Sequence, residues 1–557
     1  FSAPVGQPRR IARRTLIIIY SIKVMVSSTS LTARRTSIEP QGEDFDVVII
    51  GSGAGGGTLA RALADSGHSI LILERGGWLP REPQNWDPVE VFQNDRYVSK
   101  DLWQDKDGTS FQPGSHYFVG GASKMYGAAH FRLRERDFES VMHVDGESPE
   151  WPIKYDVFEP YYRKAEEWYH VHGLRGEDPF EPPSSSPYPY APISHEPRMQ
   201  KLVDDLRSAG LRPFHQPTGV ALNETSPAFS DCVRCNRCDG FPCLVHAKGD
   251  AEVMGVRPAL NHDNVFLLTN AEVIRLNTNS TGREVSEVVV NHEGKERRFK
   301  GSIVVVSAGA ANSARLLLMS ANEAHPKGLA NSSDQVGRNY MYHNCKAVVA
   351  LAHEPNHTVF QKTVAINDWY FGDNDFDFPM GHVQMTGKTN GAMMKGYKPR
   401  LTALAPTWSM DKLAEHSLDF WMQTEDLPRA SNRVTVNREG KIHLNYSPTN
   451  SQASQELMSR LEGLLDKLYL KNHLAERQVY FASAMELAAV GHQCGTCRFG
   501  QDPKTSVLDL NCRTHDVDNL YVVDTSFFPS SAAVNPSLTA IANAIRISDH
   551  LRERLNG

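Results

Sequence analysis

The sequence predicts an α/β fold, and three observations lead to that prediction. A strand, a glycine-rich turn, a helix and a second strand follow one another between residues 44 and 76. The order of strand, small-residue turn and helix recurs at residues 304–322. It recurs again, with a longer loop, at residues 519–551. Short apolar, β-branched runs of this kind are typical of buried parallel strands.

The first unit, "DFDVVIIGSGAGGGTLARALADSGHSILILERGG", has the form of a dinucleotide-binding fingerprint. Gly51 permits the tight turn, Gly53 lets the backbone approach a pyrophosphate, and Gly56 lets the helix pack close to the strand. Glu74 follows 23 residues after Gly51, where an acid that binds ribose belongs. The unit therefore predicts a Rossmann-type domain, and the fingerprint alone fits both FAD and NAD.

Length and charge narrow the class of protein. The 557 residues are enough for two or more domains and a large core. A formal net charge of −6 is small for this size and gives no reason to expect nucleic acid or an anionic membrane as a partner. Eight cysteines are too few for a scaffold of this length built on disulfides.

Residues 1–43 predict an extension outside the folded domains. Within it, "RRIARRTLIIIYSIKVM" has an apolar run too short for a bilayer, because a spanning helix needs about 20 apolar residues. The arginine pairs before "LIIIY" resemble a twin-arginine export signal. The alternative is a disordered or non-native extension with Met25 as the true start. We expect a soluble, cytoplasmic protein, with export as the alternative.

Three further segments select the cofactor and point to a family. "VGGASKMYGAAHFRLRERDF" at residues 119–138 carries a second glycine pair, and "VVVSAGAANSARLLLMSAN" gives the second strand–turn–helix unit. "NLYVVDTSFFPSSAAVNPSLTAIANAIRISDHL" gives the third unit. In order and spacing, the four motifs resemble the glucose–methanol–choline oxidoreductases, a family of FAD enzymes that oxidise alcohols. The resemblance extends from about residue 44 to the C-terminus.

The resemblance implies an FAD-binding domain assembled from discontinuous segments and a substrate-binding domain built on an antiparallel sheet over the flavin. We assign residues 44–345 to the N-terminal family region, 346–480 to the substrate-binding domain and 481–557 to the C-terminal region. The alternating stretches "YVSKDLWQ", "VVALAHEP" and "RVTVNREGKIHLNYSP" fit strands of the substrate domain loosely. The last stretch predicts a hairpin around Glu439 and Gly440.

The resemblance also implies which residues bind FAD, and they come from several separate segments. These residues are Gly51, Gly53, Gly56 and Glu74 for the ADP part; Gly120, Gly121 and Ser123 for the pyrophosphate and flavin; Val273, Ala308 and Gly309 for the adenosine; and Asp524, Asn535 and Pro536 facing the cofactor. The helix after Pro536 can stabilise negative charge on the reduced flavin through its N-terminus.

The mode of FAD attachment follows from one departure from the family pattern. Some sugar oxidases of the family carry a histidine in the Gly-Gly-x-Ser segment that bonds covalently to FAD. Here the matching positions hold Lys124, Met125 and Tyr126, and His116 and His130 are out of register. We therefore expect FAD to be bound non-covalently.

"AVGHQCGTCRFG", at residues 489–500, contains the predicted base. The family has a histidine in H-x-x-G-T and a histidine or asparagine about 40 residues later, which here are His492 and Asn535. A neutral imidazole suits the acceptance of a hydroxyl proton as a hydride leaves carbon. An amide can orient the hydroxyl and stabilise the developing alkoxide. We interpret His492 as the base and Asn535 as its hydrogen-bonding partner.

A metal site formed by His492, Cys494 and Cys497 is the alternative for this segment. In a strand-like segment, residues three apart point to opposite faces, so the two cysteines would diverge. Small buried thiols are the simpler interpretation of both.

"DCVRCNRCDGFPC" places Cys232, Cys235, Cys238 and Cys243 in a C-x2-C-x2-C-x4-C run. This spacing resembles iron–sulfur ligation and is also compatible with zinc. Some dehydrogenases of the family carry an iron–sulfur centre that passes electrons to a cytochrome. The last gap of four and the "DGFPC" ending differ from a ferredoxin. The run is equally compatible with local disulfides, or with free thiols in a substrate-domain loop.

Together, the motifs predict FAD-dependent oxidation of an alcohol or sugar hydroxyl to a carbonyl. The partners implied are a small alcohol or sugar and, as electron acceptor, oxygen, a quinone or a redox protein. One rival is the flavin subunit of a dehydrogenase that passes electrons through an iron–sulfur site at the cysteine run to a redox partner. A second rival, a non-catalytic FAD-fold binding protein, would need neither His492 nor Asn535.

Overall fold

The computed structural model describes residues 38–352, 354–397, 406–469, 480–484 and 491–557. The expectations for the arginine-rich segment and for Met25 fall outside the described residues. Within the described part, no helix has both the length and the apolar composition that crossing a membrane requires.

The larger of two main sheets has seven strands and carries the predicted dinucleotide-binding unit. The strands are β1 (Asp44–Ile50), β2 (Ile70–Leu73), β10 (Val265–Leu268), β11 (Ala271–Thr278), β12 (Val285–His292), β13 (Lys295–Val306) and β21 (Leu520–Val522). Their order is β10-β2-β1-β13-β12-β11, and β21 pairs with β13. Strands β10, β2, β1, β13 and β21 run parallel to one another. Strands β13, β12 and β11 form an antiparallel meander.

The second main sheet has six strands, and every pairing in it is antiparallel. The strands are β8 (Phe214–His215), β14 (Asn344–Leu351), β15 (Val364–Ile366), β16 (His382–Met385), β17 (Ser417–Thr424) and β20 (Tyr480–Ala484). Their order is β20-β14-β17-β16-β15-β8. The predicted α/β fold with a second, antiparallel sheet is therefore confirmed.

Small sheets complete the strand inventory of the described residues. The strands are β3 (Trp103–Gln104), β4 (Ser110–Phe111), β5 (Val141–His143), β6 (Gly146–Ser148), β7 (Val171–His172), β9 (Thr218–Gly219), β18 (Arg433–Val436) and β19 (Ile442–Asn445). Two-stranded ribbons pair β5 with β6 and β7 with β9, and a four-stranded sheet has the order β18-β19-β3-β4. The predicted hairpin around Gly440 forms as β18–β19, but it belongs to the four-stranded sheet and not to the six-stranded one.

Helices cover the outer faces of both main sheets. The α-helices are α1 (Ala54–Leu63), α2 (Pro88–Phe92), α3 (Tyr155–Trp168), α4 (Pro197–Ser208), α5 (Arg257–Ala259), α6 (Ala310–Met319), α7 (Gly391–Tyr397), α8 (Thr407–Ala414), α9 (Ser451–Tyr469) and α10 (Ser537–Asn556). Apolar residues of α1, α3 and α10 join the core around the seven-stranded sheet. Residues of α4 and α9 form a second core with the six-stranded sheet.

Strand register brings the predicted cofactor residues to one edge of the seven-stranded sheet. In parallel pairing, Ile50 of β1 lies opposite both Leu73 of β2 and Val306 of β13. The residues that follow these strands therefore emerge together, and β21 ends beside β13 in the same direction. Ligands of open parallel sheets bind at this carboxyl edge.

Candidate active site

A cavity of about 750 Å³ lies at the carboxyl edge and is also lined by residues of the six-stranded sheet. Most of the residues predicted to bind FAD or to act in catalysis line it. These are Gly51, Gly53, Glu74, Gly121, Ser123, Val273, Ala308, Gly309, His492, Asp524, Asn535 and Pro536. Gly56 and Gly120 do not line the cavity. The fold thus collects, at one cavity, residues separated by almost 500 positions in the sequence.

The glycine turn is shaped for close approach of a ligand to the backbone. A Cβ added at Gly53 would meet no atom within 4 Å, so this position opens into space. A Cβ at Gly56 would lie 2.1 Å from the carbonyl oxygen of Gly51, so the helix could not pack there with any side chain. Helix α1 begins directly after Gly53, with no side-chain cap and no acid in its first turn. Its first N–H groups therefore remain available to an anion.

Glu74 is held at the end of β2 by three donors. The hydroxyl and backbone N–H of Ser52 donate to Glu74 Oε2 at 2.5 and 3.1 Å, and Gly76 N–H donates to Oε1 at 2.9 Å. Gly120 N–H donates in turn to the Ser52 hydroxyl at 3.0 Å. Burial raises the pKa of Glu74. Ser52 thus joins the two glycine segments, a role that its place inside G-x-G did not signal.

Lys124 points away from the cavity although it follows the second glycine pair. Its ammonium pairs with Asp250 Oδ2 at 2.9 Å and Glu252 Oε2 at 2.6 Å, and all three side chains are buried. Ser123 accepts a hydrogen bond from Ala251 N–H at 2.9 Å. The segment that follows Gly120 is therefore held in place by its contacts with residues 250–252.

Asp524 joins the third strand–loop–helix unit to the second. Its Oδ2 accepts from Gly309 N–H at 3.0 Å and from the Ser313 hydroxyl at 2.5 Å. Its Oδ1 accepts from Ser526 N–H at 2.8 Å. Burial raises the pKa of Asp524. These bonds hold the turn at Gly309 against the segment that leads to Asn535.

The residues present fit FAD. The space at Gly53, the free N-terminus of α1 and the small residues after β13 provide an anion cradle with room for an extended dinucleotide. Val273 lies on β11 and lines the same cavity.

His492 lies in the cavity wall and is partly exposed to the cavity. Its Nδ1 is buried and has no hydrogen-bond partner among the described residues. The ring of His343 packs against it edge to face, with centroids 5.2 Å apart and an interplanar angle of 89°. Burial, with a contribution from His343, lowers the pKa of His492 to about 3. The imidazole is therefore neutral near pH 7, as a proton acceptor must be.

Two residues near the predicted base were missed in the sequence. Gln423 of β17 donates through Nε2 to Asn535 Oδ1 at 3.1 Å, which leaves the Asn535 N–H₂ group free to donate. His343 Nε2 bonds the carbonyl oxygen of Ser531 at 3.0 Å and therefore carries the proton, because a carbonyl only accepts. Both contacts join segments more than 100 positions apart, so no local pattern could reveal them.

The cysteine run forms no metal site in the described part of the chain. No group of three or more His, Cys, Asp or Glu side chains there is arranged to hold a metal ion. Cys232, Cys235, Cys238 and Cys243 are free thiols, and Cys232 and Cys238 belong to a small apolar cluster. Burial raises the pKa of Cys235 to about 12 and that of Cys238 to about 11. The structure gives no support to the disulfide alternative or to iron–sulfur ligation.

The second pair of cysteines, Cys494 and Cys497, is fully buried in the main core. Both are free thiols, and burial raises the pKa of Cys497 through contact with apolar surroundings. Neither lines the cavity beside His492.

Fold and site together define a flavoprotein, an FAD-dependent oxidoreductase that acts on CH–OH donors. Comparison with protein families gives the more particular assignment. Residues 46–345 match the N-terminal profile of the GMC oxidoreductases, and residues 428–544 match the C-terminal profile. The chain belongs to the GMC oxidoreductase family.

Several characterised relatives align over nearly the whole chain. The 6'''-hydroxyparomomycin C oxidase of Streptomyces lividus is 29% identical and covers 94% of both chains. The 2-methyl-1,2-propanediol dehydrogenase of Mycolicibacterium austroafricanum is 27% identical over 92% of this chain and 96% of its own. The fructose dehydrogenase large subunit of Gluconobacter japonicus is 25% identical over 90% and 97%.

Solved structures share the fold at lower sequence identity. Pyridoxine 4-oxidase from Mesorbium loti superposes with a TM-score of 0.63 at 18% identity, covering 91% of this chain and 99% of that one. A formate oxidase of Aspergillus oryzae RIB40 superposes with a TM-score of 0.63 at 16% identity, covering 92% and 99%. At these identities the likeness establishes the architecture.

Proposed function

We propose that the protein oxidises a hydroxyl group of a small alcohol or sugar to a carbonyl, with His492 as the general base. One observation carries the proposal: His492 and Asn535 line the same cavity as the residues that fit FAD. The names of relatives support the oxidation, since they include a 6'''-hydroxyparomomycin C oxidase, a 2-methyl-1,2-propanediol dehydrogenase and a fructose dehydrogenase large subunit.

The roles of the chain's own groups follow from their chemistry. FAD, when bound, supplies the acceptor for the hydride through its N5 atom. His492 accepts the hydroxyl proton, because its imidazole is neutral and opens to the cavity. Asn535 donates through its free N–H₂ group to the substrate oxygen, on which negative charge develops. The N-terminus of α10, which follows Pro536, lines the same cavity and favours negative charge nearby.

The electron acceptor in our proposal is oxygen, a quinone or a redox protein, since relatives of both the oxidase and the dehydrogenase kind align along the chain. We do not extend the proposal to an electron path through an iron–sulfur centre, because the four thiols of the cysteine run form no metal site in the described residues.

Substitution of His492 tests the proposal. General-base assistance contributes about 10²–10⁴ in rate, so His492→Ala should slow flavin reduction by substrate at least about a hundredfold. FAD should stay bound, because His492 is not among the residues that fit the ADP part. Asn535→Ala should slow flavin reduction less than His492→Ala does. The effects of the two substitutions on the rate should not add, because both residues act on one hydroxyl. Anaerobic stopped-flow measurement of flavin bleaching gives the rates.

A matched control is His443→Ala, which removes a histidine from β19, a strand of the four-stranded sheet that does not line the cavity. It should bleach at the wild-type rate. If His492→Ala also bleaches at the wild-type rate, His492 is not the base. A metal-ligand role would instead make the wild type sensitive to chelators.

A further inference from the structure

Strand β16 presents a glutamine to the candidate active-site cavity. Val383 and Met385 belong to the core formed with α4 and α9, so His382 and Gln384 share the opposite face of the strand. Gln384 lines the cavity and lies directly opposite Trp421 of β17, which also lines it. Gln384 therefore faces a ligand in this cavity.

The distance from Gln384 to the predicted reaction centre is short. Gln423 of β17 bonds Asn535 at 3.1 Å and lies opposite His382 in the register of the two strands. Gln384 is the next residue of β16 on the same face, so its Cβ atom lies about 7–8 Å from that of Gln423 across the sheet. One small ligand can therefore contact both Asn535 and Gln384.

One end of the Gln384 amide is bonded within the protein, and the other end is open. His382 Nε2 lies 3.3 Å from Gln384 Oε1. The amide nitrogen of Gln384 bonds no described residue, and it is not among the enclosed polar atoms that lack a partner. In this placement the open end is the nitrogen. An amide keeps its shape when its oxygen and nitrogen exchange places, so the hydrogen bonds decide which atom faces the cavity.

Those hydrogen bonds form a chain that starts at a buried ion pair. Asp178 pairs with the guanidinium of Arg134, so it is a carboxylate and only accepts. Asn367 therefore donates to Asp178 Oδ2 through its Nδ2 atom, at 2.8 Å. The amide oxygen of Asn367 lies 2.7 Å from His382 Nδ1 and must accept from it. His382 thus carries a proton on Nδ1.

The other ring nitrogen of His382 is an acceptor, because the imidazole is neutral. Burial, with a contribution from the charge of Arg134, lowers the pKa of His382 to about 3. A neutral imidazole with its proton on Nδ1 offers only a lone pair at Nε2. An amide oxygen beside it would leave two acceptors 3.3 Å apart with no proton between them, whereas an amide nitrogen would donate. The chain therefore favours the Gln384 amide turned end for end.

We propose that Gln384 donates its N–H₂ group to His382 and presents its carbonyl oxygen to the cavity, as a specificity-determining acceptor for a hydrogen-bond donor on the bound ligand. Asn367 and His382 are positioning residues, because they act on the ligand only through Gln384. A ligand oxygen that can donate is favoured at this point over one that only accepts, such as an ether oxygen. The inference rests on the proposed function only in taking the ligand of this cavity to be the substrate.

Three matched series of alcohols measure the polarity at Gln384. Diols of increasing length carry a hydroxyl at each end. In the second series a methyl ether replaces one hydroxyl, so that its oxygen only accepts. In the third series a methylene replaces the ether oxygen, which gives an alkanol of the same size with no polar atom there. Dissociation constants are measured by calorimetry on the FAD-loaded enzyme, chemically reduced and without oxygen, so that no probe is oxidised.

The wild type should distinguish the three series at the length that reaches Gln384. The diol should bind about tenfold more tightly than the ether, the effect of leaving a largely buried acceptor unpaired and well beyond the statistical advantage of two identical ends. The ether should bind no more tightly than the alkanol, because its oxygen would face the carbonyl oxygen of Gln384.

Three variants separate the acceptor from the residues that orient it. Gln384→Leu should remove the preference for the diol. His382→Phe keeps a ring against Phe131 but frees the Gln384 amide to rotate, so the ether should gain affinity relative to the alkanol. Gln216→Leu is the matched control, because it removes a buried glutamine away from the cavity, and it should keep the wild-type preference.

Neutron diffraction tests the chain of hydrogen bonds without any probe. Crystals of the FAD-loaded enzyme are grown in heavy water, so that exchanged protons are seen as deuterium. Deuterium should lie on His382 Nδ1 and not on Nε2, and the deuterated amide nitrogen of Gln384 should face Nε2.

Three results would overturn the proposal. An ether that binds severalfold more tightly than the alkanol, with the gain lost in Gln384→Leu, would mean that Gln384 presents its N–H₂ group. Equal affinity of the three series at every length would mean that Gln384 does not select the ligand. Deuterium on His382 Nε2 would mean that the ring donates to the Gln384 oxygen. The neutron map decides alone if no probe binds measurably or a variant fails to fold.

The proposed function and the role of Gln384 fail separately. If no alcohol reduces the flavin and His492→Ala behaves as the wild type, the oxidation proposal fails, while the neutron map still reports the direction of the Gln384 amide. If His492→Ala loses its rate but the ether binds more tightly than the alkanol, only the role of Gln384 is wrong.

Discussion

At the scale of single residues, the environment of His492 sets the pH range in which it can act as a base. Burial and His343 lower the pKa of His492 to about 3, well below its usual value near 6.5. A lowered pKa means that the neutral form, which accepts the proton, persists as the pH falls and is lost only near the folded-state value. The base is therefore available throughout the physiological range.

We predict that the rate of flavin reduction by substrate stays level between about pH 5 and pH 8. Removal of the neighbouring imidazole in His343→Ala should raise the pKa of His492, so that the rate of this variant begins to fall at a higher pH. Stopped-flow bleaching across the pH range measures both. A wild-type rate that falls tenfold per pH unit below 6.5 would show that His492 has an ordinary pKa when substrate is bound.

Gly53 offers a second prediction at this scale. A Cβ there would meet nothing within 4 Å, so Gly53→Val should fold while its side chain fills the space in front of α1. The variant should purify without yellow colour and with an unchanged far-ultraviolet circular dichroism spectrum. Gly42→Val is the matched control, because Gly42 also has open space but lies outside the cavity. Retention of FAD by Gly53→Val would mean that the pyrophosphate lies elsewhere.

The placement of residues such as Gly53 and Glu74 could be predicted because the fingerprint is local. The turn, the helix and the acid lie within 24 residues, and each has one steric or electrostatic reason to be there. Ser52 and Lys124 also lie within or next to the glycine motifs. Their contacts could not be predicted, because Ser52 bonds Gly120 and Lys124 bonds Asp250, which are distant in sequence. Those contacts depend on how distant segments pack.

At the scale of elements, β17 connects the substrate side of the cavity to the predicted catalytic pair. The strand pairs with β14 on one side and β16 on the other, which fixes the position of Gln423 beside Asn535. Because Gln423 donates to the amide oxygen of Asn535, the N–H₂ group of Asn535 remains free to donate.

We predict that Gln423→Leu slows flavin reduction about tenfold, the effect of one hydrogen bond worth about 1–1.5 kcal/mol. Its loss should not add to that of Asn535→Ala, since the residues are in contact. Gln423→Glu should not restore the rate, because an ionised carboxylate has no N–H to donate. Gln216→Leu, which removes a buried glutamine away from the cavity, should keep the wild-type rate. Full additivity of the two losses would contradict a shared role.

The strands show where prediction from sequence ends. Residues 70–73 form β2 as expected, because a short apolar run between a glycine and an acid has few other ways to fold. The hairpin at Gly440 also forms, with Gly440 at φ +78° in its turn. Its sheet could not be predicted, because alternation defines a strand but not its partner, and the hairpin lies in the four-stranded sheet. "YVSKDLWQ" contributes only the two residues of β3, and these join the same small sheet.

At the scale of the whole molecule, the cofactor cavity is lined by residues from several separate segments, among them parts of 50–55, 121–129, 271–273, 307–316 and 524–540. These segments belong to different strands, turns and helices that meet only in the folded chain. A ligand that contacts all of them binds the native state and has no equivalent site in the unfolded chain. FAD should therefore stabilise the entire domain rather than one loop.

We predict that FAD is released without covalent linkage and that its loss lowers the stability of the fold. The residues at the covalent-attachment positions are Lys124, Met125 and Tyr126, and Lys124 is committed to Asp250 and Glu252. Acid precipitation should therefore leave the yellow chromophore in the supernatant. Colour that stays with the pellet would show a covalent bond.

The stability effect follows from mass action. FAD at a hundred times its dissociation constant should add about 2.7 kcal/mol to the free energy of unfolding relative to apoprotein. The gain should grow with the logarithm of FAD concentration, as measured by thermal unfolding of apoprotein titrated with FAD. Gly53→Val provides the control, because its fold should remain while its unfolding temperature no longer depends on FAD. An apoprotein as stable as the holoprotein would contradict this prediction. It would mean that contacts within the protein, such as those of Ser52 and Asp524, are enough to hold the segments around the cavity in place, so that the FAD-binding site is already formed in the apoprotein.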